Sequence, residues 1–221
     1  MSEAPHLDER LLAAAQLVKA GLPAADIGCD HAKLSAWLVC TGHCPHVIAC
    51  DLREGPLQKA AETCREYHCE DRVELRLGSG LEPLSPGEAQ SIALAGISAQ
   101  TTIEILEAAP WVNTQGLRLV CVPATKVWVL RRWLWEHGFE LKEDHPVRAA
   151  GRWYTALAAE YTGSVHQPND RECAFGNNDP AELAPDYRAH LIEKINKLHR
   201  AAAAEPQRRQ RLEKILAQLN P

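Results

Sequence analysis

Short apolar runs alternate along the chain with segments of helical periodicity. Runs such as "HVIACD" and "LRLVCVP" are rich in Val, Leu and Ile and lack the two-residue alternation of a half-exposed strand. They predict strands that are covered on both faces, as in a parallel sheet. Segments such as "LDERLLAAAQLVKAG" space their apolar residues for one helical face. The pattern therefore predicts strands and helices in turn.

This strand–helix alternation repeats five times and ends in a pair of strands. The predicted strands cover residues 24–28, 46–51, 72–80 (with a turn), 91–97 and 117–123, and the predicted helices cover residues 7–21, 31–42, 55–68, 101–112 and 126–138. Residues 139–161 predict two more strands around a glycine-containing turn. Such an order is typical of an α/β fold with a Rossmann-like, doubly wound, mostly parallel sheet. Ligands bind at the carboxyl ends of the strands in this architecture.

The C-terminal part of the chain differs in composition from the rest. Residues 164–185 are polar, contain three prolines and predict a linker. Two amphipathic segments follow, and because Pro206 interrupts them we expect a small helical hairpin and not one long coiled coil. The predicted organisation is a domain over residues 1–163, a linker over residues 164–185 and a hairpin over residues 186–221.

Composition narrows the class of protein. Apolar residues make up 46% of the 221 residues, which indicates a globular chain. No run of about 18 apolar residues predicts a membrane span, and the acidic N-terminus is unlike a signal peptide. The eight cysteines lack the spacing of a disulfide framework, so we expect free thiols in a reducing cytoplasm. The segment "CTGHCPH" offers Cys40, His43, Cys44 and His46, but without a second ligand pair we interpret it as a helix end and expect no metal.

The charge is unevenly distributed. The chain carries a formal charge of −5, but residues 186–221 contain eight Lys or Arg against four acids. A basic tail on an acidic body is compatible with a polyanion bound at one end and equally with a solvated helix face.

Polar residues follow the predicted strands where a ligand is expected. Asp26, Gly28, Asp30 and His31 surround the end of the first strand, and Asp51 ends the second, where it is placed to accept hydrogen bonds from a ribose. The glycine-rich G-x-G-x-x-G of dinucleotide-binding proteins is not present there. Two acids disfavour a pyrophosphate and suit S-adenosylmethionine, which has a cationic amino end and no phosphate. Another nucleotide-binding Rossmann protein and a non-catalytic domain stay open as alternatives.

Several motifs together resemble one family. The chain resembles the bacterial tRNA adenine-N1 methyltransferases that modify the adenine at tRNA position 22. The matching stretches are "LDERLLAAAQLV", "ADIGCDHAKL", "ACDLREGPLQKA", "RLGSGLEPL", "LAGISAQTTIEIL", "LRRWLWEHGFEL", "GRWYTALAAE" and the "CAFG" that precedes the C-terminal helices.

The resemblance implies a class I methyltransferase domain that binds S-adenosylmethionine, and a helical domain that helps to hold tRNA. It implies a cofactor site in which Asp26, Gly28, Asp30 and His31 lie along the methionine end. The other implied cofactor contacts are Asp51 at the ribose, Leu52 and Ser79 near the adenine, and Gly96 beside the reacting methyl group. Asp30 is our candidate catalytic carboxylate, because a methylated adenine is cationic.

The substrate loops depart from the family pattern. Residues 95–99 are Ala-Gly-Ile-Ser-Ala where the family usually has A-G-M-G-G, and residues 122–124 are Val-Pro-Ala where it usually has Q-P-N. Ser98, Gln100 and Thr125 are candidate substitutes for the lost polar groups. The alternatives are a family member that binds without methylating and a methyltransferase with another substrate. The sequence leaves the oligomeric state open between a monomer and a weak dimer.

Overall fold

The computed structural model describes residues 4–219 of the chain. Its centre is a seven-stranded sheet in the order β3-β2-β1-β4-β5-β7-β6. The strands are β1 (Ala24–Ile27), β2 (Val47–Asp51), β3 (Val73–Leu77), β4 (Ser91–Ala95), β5 (Arg118–Val122), β6 (Phe139–Ala149) and β7 (Arg152–Tyr161). The helices are α1 (Glu9–Leu17), α2 (Lys33–Cys40), α3 (Glu54–Glu66), α4 (Ala99–Glu107), α5 (Val127–Glu136), α6 (Asp170–Phe175), α7 (Pro185–Ala201) and α8 (Pro206–Leu219).

The first five strands pair in parallel, and β7 inserts antiparallel between β5 and β6. The predicted Rossmann-like, mostly parallel sheet is thereby confirmed. Two apolar clusters of helix and strand residues cover its two faces, which explains why β1, β2 and β5 lack an alternating pattern. The strand order reverses between β1 and β4, so a crevice opens at their carboxyl ends.

Helix boundaries depart from the prediction where the backbone is left-handed. The helix expected over residues 31–42 begins only at Lys33, because Ala32 before it has φ of +51°. The expected turn between the last two strands holds Ala150 and Gly151, both with positive φ, which suits the twist of a tight hairpin.

The segment expected to be a linker contains a short helix, α6. Asn169 and Glu172 form a reciprocal capping box at its start, and the side chains of Cys173 and Phe175 are buried. Residues 170–175 are therefore packed structure, and the division into residues 1–163, 164–185 and 186–221 stays a prediction. The two C-terminal helices are present and share an apolar cluster that includes Leu191, Ile195, Ile215 and Leu219. Residues 220 and 221 of the predicted hairpin lie outside the described residues.

No helix in the described part of the chain is long and apolar enough to cross a membrane. All eight cysteines are free thiols. In the "CTGHCPH" segment, the Cys40 thiol lies 3.7 Å from the carbonyl of Tyr67, and His43 Nε2 lies 2.8 Å from the carbonyl of Val18.

Candidate active site

A cavity of about 570 Å³ opens at the carboxyl ends of β1 and β4. Its volume is that of a pocket for a cofactor-sized molecule. Its walls come from α1, from the turn after β1 and from the loop after β4. The lining residues are Arg10, Leu11, Asp26, Gly28, Cys29, Asp30, His31, Lys33, Leu34, Arg53, Ala95, Gly96 and Ile97.

The turn after β1 brings backbone to the edge of this cavity. The amides of Gly28 and Cys29 both donate to the carbonyl of Cys50, each at 2.9 Å. Gly28 has φ of +70°, and a Cβ there would lie 3.1 Å from Ile97 Cδ1. A larger residue would be strained and would narrow the space in which a ligand can approach the backbone.

Asp26 is the buried carboxylate of the cavity and is only 4% exposed. Its Oδ2 accepts a hydrogen bond of 2.7 Å from the Ser35 hydroxyl. Burial raises the pKa of Asp26 to about 6, against the lowering effect of the Ser35 hydrogen bonds. The fold therefore holds a carboxylate whose charged form would be stabilised by a cationic ligand.

Asp51 organises the second strand end. One oxygen of its buried carboxylate accepts from the backbone amide of Asp30 at 3.3 Å, and the other accepts from the backbone amide of Arg53 at 3.0 Å. The carboxylate thus ties the turn after β1 to the loop after β2. Each oxygen still has a lone pair for a ribose hydroxyl.

Asp30 and His31 lie at the mouth of the cavity. Asp30 has φ of +51°, and its side chain is 71% exposed. His31 Nε2 lies 3.7 Å from the Asp30 carboxylate. The pair is accessible to a substrate that approaches from solvent.

The two residues expected near the adenine do not line the cavity. Leu52 is 67% exposed, which is unusual for a large apolar side chain, and Ser79 is exposed in the turn after β3. Gly96 does line it, with φ of +87° after β4. The structure therefore places Asp26, Gly28, Asp30, His31 and Gly96 around one cavity, with Asp51 beneath their turn.

Arg10 is a cavity residue that the sequence analysis missed. A Cβ at Gly96 would lie 2.6 Å from its Nη1, and its guanidinium lies 5.9 Å from the centre of the Tyr154 ring. The sequence did contain a signal for this residue, because Arg10 comes three residues after Leu7 and so lies on the apolar face of the predicted helix. This face covers the cavity, so the cation is turned inward.

The loops after β4 and β5 are joined by their backbones. The amide of Ala124 donates to Ile97 at 2.9 Å, and the amide of Ala99 donates to Thr125 at 3.3 Å. None of the three candidate substrate residues lines the cavity. The Ser98 hydroxyl caps α4 by accepting from Thr101, Gln100 donates to Glu104, and Thr125 faces a second, smaller space.

This second space is a cleft of about 50 Å³ beside the loop after β5. Its walls are residues 123–128, residues 153–155 of β7 and one face of α7. Trp128 and Trp153 are half-buried in it, whereas Trp135 is buried in the core. Tyr154 lines the cleft and contacts Arg10 of the cavity, so the two spaces are neighbours.

Comparisons with known proteins agree on one family. The model of a methyltransferase domain matches residues 7–157. The tRNA (adenine(22)-N(1))-methyltransferase of Bacillus subtilis is 30% identical over 169 residues, which are 76% of this chain and 68% of that protein. A Streptococcus pneumoniae protein, a candidate tRNA (m1A22) methyltransferase solved with S-adenosyl-L-methionine, is 26% identical. Its fold matches with a TM-score of 0.84 over 96% of this chain and 100% of that one. The B. subtilis m1A22 tRNA methyltransferase structure has a TM-score of 0.77 at 24% identity over 97% of this chain and 96% of that one.

Proposed function

The chain belongs to the family of tRNA (adenine-N1)-methyltransferases, and on that premise we propose that it transfers a methyl group from S-adenosylmethionine to N1 of an adenine in tRNA. Position 22 is the target named for the B. subtilis relative, and we propose the same position here. A cytoplasmic location is part of the proposal, supported by the eight free thiols.

The observation that carries the proposal is the pair of opposite charges in one cavity. Asp26 offers a buried carboxylate and Arg10 a guanidinium, and the Gly28 backbone lines the same cavity opposite Ile97 with no side chain between them. The methionine end of S-adenosylmethionine is a zwitterion, so Asp26 suits its ammonium group and Arg10 its carboxylate. The donor set and the cavity volume both fit this cofactor.

We propose that the remaining cofactor contacts follow from the strand ends. Asp51 would accept hydrogen bonds from the ribose, and exposed Leu52 would pack on the adenine with Ser79 near its edge. Gly96 would leave room beside the methyl group. S-adenosylmethionine supplies an electrophilic methyl group on a sulfonium.

The target adenine would enter between the cavity and the cleft. Its N1 is a neutral nucleophile, so positioning is the main contribution of the chain. The product base is cationic, and the exposed Asp30 carboxylate, with His31 beside it, would stabilise that charge. Thr125 lines the cleft that the nucleotide would cross.

One set of observations favours a second candidate, a protein that binds without methylating. Ser98 and Gln100 are engaged within α4, and Val122 is fully buried where the family usually has Gln. The polar contacts to an adenine edge are therefore reduced. The hairpin of residues 186–221 would supply tRNA affinity in either case.

The deciding experiment is methyl transfer from labelled S-adenosylmethionine to an unmodified tRNA transcript, followed by nucleoside analysis. We expect N1-methyladenine in the wild-type product and none when adenine 22 is replaced by guanine. Label in another nucleoside would show a different substrate. Cofactor and tRNA binding without label in the RNA would favour the binding protein.

A further inference from the structure

The cleft beside the loop after β5 contains a cation without an acidic partner. Lys194 Nζ lies 4.8 Å from the centre of the Trp128 ring. No ion pair joins Lys194 to a carboxylate among residues 4–219. Burial, and secondarily Arg131, lower the pKa of Lys194. An anion bound in the cleft would offset the cost of holding this ammonium group away from water.

Aromatic rings form the adjacent wall of the cleft. The centroids of the Trp153 and Tyr187 rings lie 4.9 Å apart, and the ring planes are tilted by 51°. The Arg148 guanidinium lies 5.9 Å from the centroid of the Trp153 ring. Tyr187 is buried, which fixes the orientation of half-buried Trp153. The Trp153 side chain is therefore held in place before any ligand binds.

The cleft is coupled to the proposed methyl-transfer site through two contacts. The hydrogen bond from the Ala124 amide to the Ile97 carbonyl joins a cleft residue to a cavity residue. The guanidinium of the cavity residue Arg10 lies near the ring of the cleft residue Tyr154. The cleft volume of about 50 Å³ is too small to enclose a nucleotide. An RNA strand would therefore lie across the mouth of the cleft, with one nucleotide in the cavity and the next nucleotide over the cleft.

We propose that this cleft is a subsite for the nucleotide adjacent to the methylated adenine, in which Lys194 pairs with a phosphodiester and Trp153 stacks on an unpaired base. The inference rests on the proposed function and deepens it. An aromatic platform next to a cation is the arrangement with which proteins hold single-stranded nucleic acid. Helix α7 would accordingly form part of the substrate site itself.

The test compares two lysines of α7. Lys194→Met keeps the stem over Trp128 and removes the charge, and Lys197→Met removes the same charge from an exposed position one turn further on. Both variants have the same net charge. We expect Lys194→Met to bind a tRNA transcript about tenfold more weakly than Lys197→Met, with a salt slope lower by about one. Affinity for S-adenosylmethionine should be the same in both.

A modified RNA identifies the contact. A neutral methylphosphonate linkage beside adenine 22 should weaken binding to Lys197→Met and leave binding to Lys194→Met nearly unchanged, because the paired charge is already gone. Trp153→Leu should weaken binding of the natural transcript about tenfold while the cofactor still binds.

Two outcomes would overturn the subsite while leaving the proposed function standing. One is equal tRNA affinity of the two lysine variants in a protein that methylates tRNA. The other is a methylphosphonate linkage that weakens RNA binding by the same factor in both lysine variants. A wild-type chain that binds tRNA but transfers no methyl group would overturn the activity alone, and one that binds no tRNA would overturn both.

Discussion

At the scale of single residues, the cavity depends on a carboxylate that the fold holds at a cost. Asp26 is buried, and its pKa lies at about 6 instead of its ordinary 3.8. Because the folded-state pKa is the higher one, stability from this group is full below pH 3.8 and is lost as the pH rises through about 6. The loss amounts to about 3 kcal/mol at neutral pH. A bound ammonium group would offset it.

We therefore predict that affinity for S-adenosylmethionine rises with pH. Between pH 5 and 7 the cofactor ammonium keeps its charge while Asp26 loses its proton, so affinity should increase about tenfold. Titration calorimetry in buffers of different ionisation enthalpy should also detect proton release near pH 6. Ser35→Ala removes a hydrogen bond to the carboxylate and should move the midpoint upward. Asp26→Asn should abolish the dependence; if the dependence persists, another group carries it.

At the scale of elements, sequence patterns located the sheet but missed the packing of α6 against α5 and β6. Strands β1, β2, β4 and β5 were predictable because each is an apolar run between turn residues. Helix α6 was missed within a polar segment, although Asn169 and Glu172 have the spacing of a capping box. The environment of Arg131 could not be predicted, because its partner Asp144 lies on β6 and its other contacts are carbonyls of α6.

The candidate site, like the fold, was predictable from the sequence only in part. Residues at the strand ends, such as Asp26 within β1 and Gly28 directly after it, could be assigned because parallel strand ends meet at one edge. Arg10 was missed because a helix preceding the first strand has no fixed place over the sheet. The cleft was missed because it joins Trp153 to α7, and tertiary packing alone sets that contact.

We predict that the packing of α5, β6 and α6 against one another depends on the buried ion pair of Arg131 and Asp144. Arg131 donates to both oxygens of Asp144 at 2.9 and 2.7 Å, and both side chains are almost fully buried. Arg131→Met should lower the free energy of unfolding by about 3–5 kcal/mol, because it leaves a buried charge unpaired. Chemical denaturation measures this change. Arg131→Met with Asp144→Leu should cost less than Arg131→Met alone; a larger cost would mean that packing, and not charge, dominates.

At the scale of the whole molecule, the separation of charge gives the chain two different ends. Residues 186–221 carry a formal charge of +4, and the other residues sum to −9. Helix α3 packs on β2 and β3 at one end of the sheet, whereas α7 contacts β7 in the opposite half of the sheet and α8 packs on α7. An RNA would be repelled by the acidic body and attracted to the hairpin. The orientation of tRNA would thus be set before it reaches the cavity.

We predict that tRNA affinity depends on where a positive charge lies and not only on the net charge. Arg200→Gln with Arg209→Gln removes two exposed charges from the hairpin, and Lys59→Gln with Arg65→Gln removes two from the exposed face of α3. The hairpin variant should show a salt slope of tRNA binding lower by about two, and the α3 variant should match the wild type. Affinity for S-adenosylmethionine is the control in both. Equal losses would mean that tRNA responds only to the total charge, and the hairpin would then not be its docking surface.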